Sequence, residues 1–429
     1  MPTPLSRRTL MGMAAAAGLG GLTRPAWAAV PGTIVRTDFS TLPPYGNGAL
    51  PAGIRSRHIQ NVNGMTVHIL EAGFQTANRP AVLLLHGFPE LAYSWRRVML
   101  PLADAGYHVI APDQRGYGRT IGWDDAYEAD PDPFRILNMT RDAIALVYAL
   151  GHRTVAMLVG HDAGAPVASW AALIRPDIFR TLTLMSSPFD GAPAMPFDTA
   201  AGGPAPQPNV TDDQLDAELA KLNPPRKYYQ NHQRTPGAND DMLQAPQGLP
   251  AFFRAYYYYK SADWPGNKPH PLKARTAAEM AQLPTYYVME KDKTMAATVA
   301  PYMPSADYIA ACTWLTEADV AVYASEYART GFTGALQGYR VRRGSDPRSQ
   351  AEMMTFTGRT IDVPSLFISG KSDWGVYQTP GAEERMRTRH CTKMAGFHRI
   401  EGAGHWVQQE QPEHVSRLLT AFLRDHTRS

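Results

Sequence analysis

The chain has 429 residues, of which 44% are hydrophobic and 19% charged, an ordinary globular composition with room for one large domain or two modest ones. Its formal net charge of +3 comes from Arg7, Arg8 and Arg24; beyond residue 28, 39 basic residues face 39 acidic ones. That balance excludes the basic stripe of a nucleic-acid binder, no later run reaches the roughly 18 apolar residues of a membrane span, and two distant cysteines, Cys312 and Cys391, cannot make a metal cluster alone.

The first 28 residues read as a twin-arginine export signal. Ser6-Arg7-Arg8-Thr9-Leu10-Met11 precedes a mildly apolar run from Gly12 to Leu22, and Ala26-Trp27-Ala28 offers small residues at a cleavage site. The expected location is the periplasm or the exterior, where Cys312 and Cys391 are as compatible with free thiols as with a pair.

Residues 29–56 are Pro- and Gly-rich without periodicity and read as an irregular lead-in. From about Arg57 the pattern alternates between strands and helices. Met65–Ala72 is a half-buried strand, and Ala81–Leu85 a continuous apolar run typical of a central parallel strand. A helix is expected over 91–105 and a strand at His108–Pro112. A second helix over 138–150 stops at Gly151. Strands at Thr154–Val159 and Thr181–Met185 flank a third helix. This rhythm predicts an α/β fold with a mostly parallel sheet over 57–189. Over 190–355 the rhythm is lost and helical patterns rich in Tyr, Trp and Met take over, as expected of a lid inserted after the sixth strand. The core resumes over 356–429, with strands at Ser365–Gly370 and Phe397–Glu401 and a closing helix over 411–425.

Three residues fall where such a sheet builds its chemistry. Asp162 lies in Gly160-His161-Asp162-Ala163-Gly164, between an apolar strand and a helix, the setting of a nucleophile elbow with a carboxylate in place of serine. Asp373 follows the strand SLFISG, and His405 lies in Gly402-Ala403-Gly404-His405-Trp406 after the last strand. The order nucleophile, acid, base is that of α/β-hydrolases, and all three sit at carboxyl ends of strands. Each has an ordinary alternative as a helix cap, a turn residue or a satisfied histidine, but their joint order makes coincidence a poor account. His86-Gly87-Phe88-Pro89-Glu90 supplies a loop whose Phe88 N–H, with that of Ala163, is the expected oxyanion hole. His86, Pro89, Tyr257, Trp374 and Trp406 are expected to line the substrate pocket.

The segments HGFPE at 86–90, DQRGYG at 113–118 and GHDAG at 160–164, with Asp373 and GHW at 404–406, resemble the α/β-hydrolase epoxide hydrolases over most of residues 57–425. The lid segment Gly331-Phe332-Thr333-Gly334-Ala335-Leu336-Gln337-Gly338-Tyr339-Arg340 resembles theirs as well. The resemblance implies that Tyr339 protonates the epoxide oxygen together with a second lid tyrosine, expected within Phe252–Lys260, with Tyr256 the best match and Tyr257 and Tyr258 its rivals. It implies attack by Asp162 on an epoxide carbon, an alkyl ester, and hydrolysis by water that His405 and Asp373 activate. No cofactor or metal is implied. The partners are a small apolar epoxide and water, and nothing in the sequence selects an oligomeric state.

Haloalkane dehalogenases share the Asp-Asp-His machinery but hold halide with side-chain N–H donors that Ala163 and Phe88 lack. Fluoroacetate dehalogenases carry Arg where this chain has Ala163. Ala163 and Gly338 also depart from the Trp and the aromatic residue frequent in epoxide hydrolases, and both changes open space. A binding module on the same fold is the non-enzymatic alternative, opposed by the complete set of reactive residues.

Overall fold

A computed structural model describes residues 41–193, 210–342 and 347–427. The expected export signal lies outside the described residues, as do parts of the segments 29–56 and 190–210.

Eight strands form the central sheet: β1 (Arg55–Val62), β2 (Met65–Ala72), β3 (Ala81–Leu85), β4 (His108–Pro112), β5 (Val155–His161), β6 (Leu182–Met185), β9 (Ser365–Gly370) and β10 (Met394–Ile400). Their order is β1-β2-β4-β3-β5-β6-β9-β10, with β2 antiparallel to both neighbours and the rest parallel. Two short strands, β7 (Arg226–Tyr228) and β8 (Val288–Glu290), pair as an antiparallel ribbon inside the lid. Three residues each are too few to show alternation, so the sequence read this region as helical throughout.

The period-2 side-chain rule sorts the strand residues onto two faces. Leu70, Val82, Leu84, Val109 and Val159 pack with Val98, Leu102, Leu419 and Leu423 from the helices Arg96–Asp104 and Pro412–His426. Ile69, Leu83, Leu85, Ile110 and Leu158 pack with Leu146, Trp170 and Leu173 from the helices Ile136–Ala149 and Gly164–Ile174. β3, β5 and β9 are buried along their whole length, which is why they read as unbroken apolar runs. β10 begins at Met394, three residues before its expected start; only its last residue, Ile400, is buried, so no continuous apolar run marks where the strand begins. Cys391 is buried and Cys312 partly so, and both thiols are free.

The lid continues from β6 and returns at β9, as expected. Its helix Glu317–Thr330 opens with a capping box between Thr316 and Asp319. Asp319 also accepts from Tyr93 Oη at 2.9 Å and pairs with Arg96 at 2.8 Å, and Glu326 pairs with Arg119 at 2.7 Å. These buried polar links fix the lid over the carboxyl ends of the parallel strands.

Candidate active site

The turn after β5 is tight because it is built from small residues around one strained position. Asp162 has φ +46°, a left-handed conformation costly for a residue with a Cβ. A Cβ on Gly160 would lie 2.5 Å from the Gly164 carbonyl oxygen, and one on Gly164 would lie 2.4 Å from that of Leu85. Both glycines therefore let helix Gly164–Ile174 start directly against β3 and β5, which lifts the Asp162 carboxylate clear of the sheet.

Three loops converge on that carboxylate. The Phe88 N–H donates to Asp162 Oδ1 at 2.9 Å, across a loop whose Phe88–Pro89 bond is cis. His405 Nε2 lies 3.4 Å from Asp162 Oδ2 without hydrogen-bond geometry. On its other side, His405 Nδ1 meets Asp373 Oδ1 at 3.0 Å, and Asp373 is held in turn by the Gly375 N–H at 2.7 Å. Burial pushes the Asp162 carboxyl up, but His405, Lys260 and His161 outweigh it and leave the group below its ordinary range. Asp373 is likewise held low, against burial, by His405 and its hydrogen bonds. At neutral pH both are carboxylates, one at the floor of the cavity and one paired with the imidazole.

A second ring of groups fixes the three loops. Glu90 Oε2 accepts from the Gly87 N–H at 3.0 Å and from His161 Nδ1 at 2.6 Å. Its Oε1 accepts from Gln408 and Gln409, each at 2.9 Å. His161 Nε2 reaches the His405 carbonyl at 2.8 Å. Burial alone would neutralise both partners, yet their mutual charge lowers Glu90 and raises His161, so the pair stays ionised. The sequence contained both residues inside its motifs, but nothing in spacing shows that a strand residue before the nucleophile faces a glutamate 71 positions away. Asp113 of the DQRGYG segment is another positioning group: it accepts from the Ala92 N–H at 2.9 Å and from the Arg119 N–H at 3.0 Å.

A cavity of about 230 Å³ opens over Asp162 and Ala163. Tyr339 and Tyr229 line it, their ring centroids 6.2 Å apart and their planes 75° apart. Phe88 braces the Tyr339 ring edge-on at 5.4 Å. Tyr229 is buried, and that burial, then the charges of Tyr228 and Asp162, hold its hydroxyl well above the ordinary tyrosine range. It is a neutral O–H donor at every working pH. The remaining wall is mixed rather than uniformly apolar, with Trp170, Phe189 and Met353 beside Gln230, Gln378 and Thr379.

The structure brings Asp162, Ala163, Phe88, Asp373, His405 and Tyr339 together and redistributes the other expected residues. Tyr256 does not bound the cavity. Its ring lies 5.7 Å from Phe252 and 6.2 Å from Trp406, and Tyr229 takes the place expected for it. The run of four tyrosines in helix Leu249–Lys260 has the stronger sequence signal, whereas Tyr229 follows the three-residue strand β7 and carries no periodic signal. Tyr257 and Trp406 are also outside the wall: they stack at 4.1 Å, and Trp406 Nε1 donates to the Tyr257 carbonyl. Pro89 accepts the Tyr257 hydroxyl on its carbonyl at 3.3 Å. His86 is buried under the loop, where Nε2 accepts from the Gln114 N–H at 3.1 Å. Trp374 packs edge-on against His270 at 4.9 Å. These five support the loops that the reactive residues stand on.

The alpha/beta hydrolase fold family matches residues 80–412. Epoxide hydrolase A of Mycobacterium tuberculosis is 30% identical over 395 residues, which span 86% of this chain and 98% of that protein. Epoxide hydrolase B of the same organism is 32% identical over 378 residues, spanning 85% and 97%. Among solved structures, an epoxide hydrolase from an endophytic Streptomyces superposes with a TM-score of 0.66 at 31% identity, over 87% of this chain and 96% of that one. Potato (Solanum tuberosum) epoxide hydrolase I superposes with a TM-score of 0.63 at 28% identity, over 87% and 99%.

Proposed function

The chain belongs to the α/β-hydrolase family, in its epoxide hydrolase branch, and on that footing we propose that it converts an epoxide to a vicinal diol through an ester on Asp162. The observation that carries the reading is the pair of lid tyrosines, Tyr229 and Tyr339, lining one cavity together with Asp162.

In the first step an Asp162 oxygen attacks a ring carbon, the strained C–O bond breaks, and the departing oxygen takes a proton from Tyr229 or Tyr339. The second step regenerates the enzyme. Water attacks the carbonyl carbon of the ester, and its proton passes to His405 Nε2 while Asp373 stabilises the imidazolium. The Phe88 N–H, already 2.9 Å from Asp162 Oδ1, holds the oxyanion, with the Ala163 N–H at the start of the following helix as its partner. Collapse breaks the alkyl C–O bond, the leaving diol oxygen takes the proton back from His405, and the proton left on the Asp162 carboxyl returns to the tyrosine phenolate.

The haloalkane reading shares every residue of the second step. It lacks a side-chain N–H donor at Ala163 and Phe88, whereas the oxygen of an opened epoxide is matched by two phenols. A parallel assay separates the two: diol from styrene oxide without halide from a haloalkane supports the proposal, and halide without diol overturns it. Export belongs to the same proposal, and N-terminal sequencing of the protein from the periplasmic fraction tests it, with a start at Ala29 expected.

A further inference from the structure

Helix Leu249–Lys260 delivers a lysine to the rear of the site. Lys260 is 3% exposed. Its ammonium sits 4.8 Å from the ring centroid of Tyr287, 5.2 Å from Trp406, 5.3 Å from Tyr256 and 5.7 Å from Tyr286, a cation surrounded by aromatic faces. Among the described residues it has no salt-bridge partner. Its backbone carbonyl accepts the His405 N–H at 2.9 Å, so the helix end is tied to the loop that carries the base. The Tyr287 hydroxyl beside it is buried and has no hydrogen-bond partner among the described residues, which marks a polar recess behind the triad.

We infer that Lys260 is a positioning residue for the second half of the reaction, a fixed positive charge that favours hydrolysis of the Asp162 ester over its persistence. This rests on the ester mechanism proposed above. The sign follows from the charges on Asp162. The resting carboxylate is negative, the alkyl ester is neutral, and the tetrahedral oxyanion and regenerated carboxylate are negative again. A nearby ammonium stabilises every one of these states except the ester. It therefore draws the ester forward to product and does nothing to speed its formation. The bond changes are those of simple ester hydrolysis: water oxygen joins the Asp162 carbonyl carbon, one of its protons moves to His405 and on to the expelled diol oxygen, and the other leaves the new carboxyl for the tyrosine phenolate. Lys260 transfers nothing.

The electrostatics agree. Burial pulls the ammonium down, Asp162, Asp373 and Glu90 support it in that order, and the balance places it at about 8. The groups around it are Asp162 from the elbow, Asp373 after β9, Glu90 with His161, His405, the hydroxyls of Tyr256, Tyr286 and Tyr287, and Glu410. The last is pushed up to about 8 by burial, against N–H donors from Ala262, Gly404 and Trp406. Lys260 reaches about 8 only while Asp162 is ionised; the ester removes that largest support, so in the ester state the lysine loses its proton at lower pH and ester decay should slow as pH rises toward about 8.

The test is rapid quenching of the full-length enzyme with styrene oxide, followed by mass spectrometry of the Asp162 peptide. In Lys260→Met the ester is expected to form no more slowly and to decay roughly ten-fold more slowly, less than the loss from deleting a direct oxyanion donor. Turnover and KM then fall together. In Lys260→Arg, that fall in ester decay with rising pH should disappear; if it survives there, Glu410 is its source and the inference is overturned. Ester decay in Lys260→Met at the wild-type rate, or formation and decay slowed equally, also overturns it. The wild-type decay profile against pH needs no variant to fold and must show the falling limb. If no ester forms in any of these proteins, the ester mechanism itself fails, a result distinct from the others.

Discussion

Tyr229 and Tyr339 meet at 6.2 Å and 75° over the nucleophile although 110 residues separate them in the chain. Two phenols that share one leaving oxygen predict partial redundancy. Tyr339→Phe and Tyr229→Phe should each lower kcat/KM for an epoxide by about 10²-fold, within the range of general-acid removal. The double variant should lose far more than either single one. Stopped-flow measurement of alkylation checks this, and Tyr256→Phe should cost much less than either. A loss at Tyr256 as large as at Tyr229 would return the proton donor to helix Leu249–Lys260.

The ionised pair of Glu90 and His161 joins the three catalytic loops, so its members should not behave independently. Glu90→Ala leaves a buried imidazolium and two glutamine amides without an acceptor, and should cost about 3–5 kcal/mol of stability. Glu90→Gln combined with His161→Gln should recover part of that. Chemical denaturation of the wild type, Glu90→Gln, His161→Gln and the double variant gives the coupling energy, and strict additivity would show that the pair does not act as a unit.

The elbow glycines should tolerate nothing larger. Gly160→Ala places a Cβ 2.5 Å from a backbone oxygen and 2.7 Å from the Ala168 Cβ. About 1–3 kcal/mol of overpacking is expected, with activity falling more than stability because Asp162 moves. A thermal melt alongside the diol assay separates the two effects.

Acid should weaken the sheet where β2 holds β1 and β4 together. Burial pushes Glu71 up, but hydrogen bonds from His108, Arg57 and Arg55 hold it at about 2. A depressed carboxyl contributes stability that is present above its unfolded value and lost as pH falls toward about 2. The contribution is on the order of 1–2 kcal/mol once the exposure of both arginines is allowed for. Wild-type and Glu71→Gln melts should therefore differ at pH 6 and converge as pH falls to about 2. Parallel curves throughout would contradict it.

The parts legible in the sequence share a cause. Asp162 and Asp373 each follow a strand buried along its whole length, and burial on both faces makes such strands stand out, whereas His405 follows the partly buried β10 and is marked by its Gly-His-Trp segment. The lid tyrosine Tyr339 sits in a recognisable segment. Tyr229, Glu90, His161 and Lys260 act through contacts between segments far apart in the chain, which no local pattern encodes. Trp406 and Tyr257 carried the signature of a pocket wall because aromatic residues beside a catalytic motif look alike whether they face substrate or support the loop.

The central claim is that Asp162 becomes an alkyl ester which His405 then clears. His405→Gln keeps the nucleophile and the Phe88 N–H but removes the base. Mixed with an epoxide, that variant should gain the mass of one substrate molecule, located by peptide mapping to Asp162 and persisting where the wild-type enzyme clears it. An unmodified Asp162 peptide after exhaustive exposure of the folded variant would contradict the account.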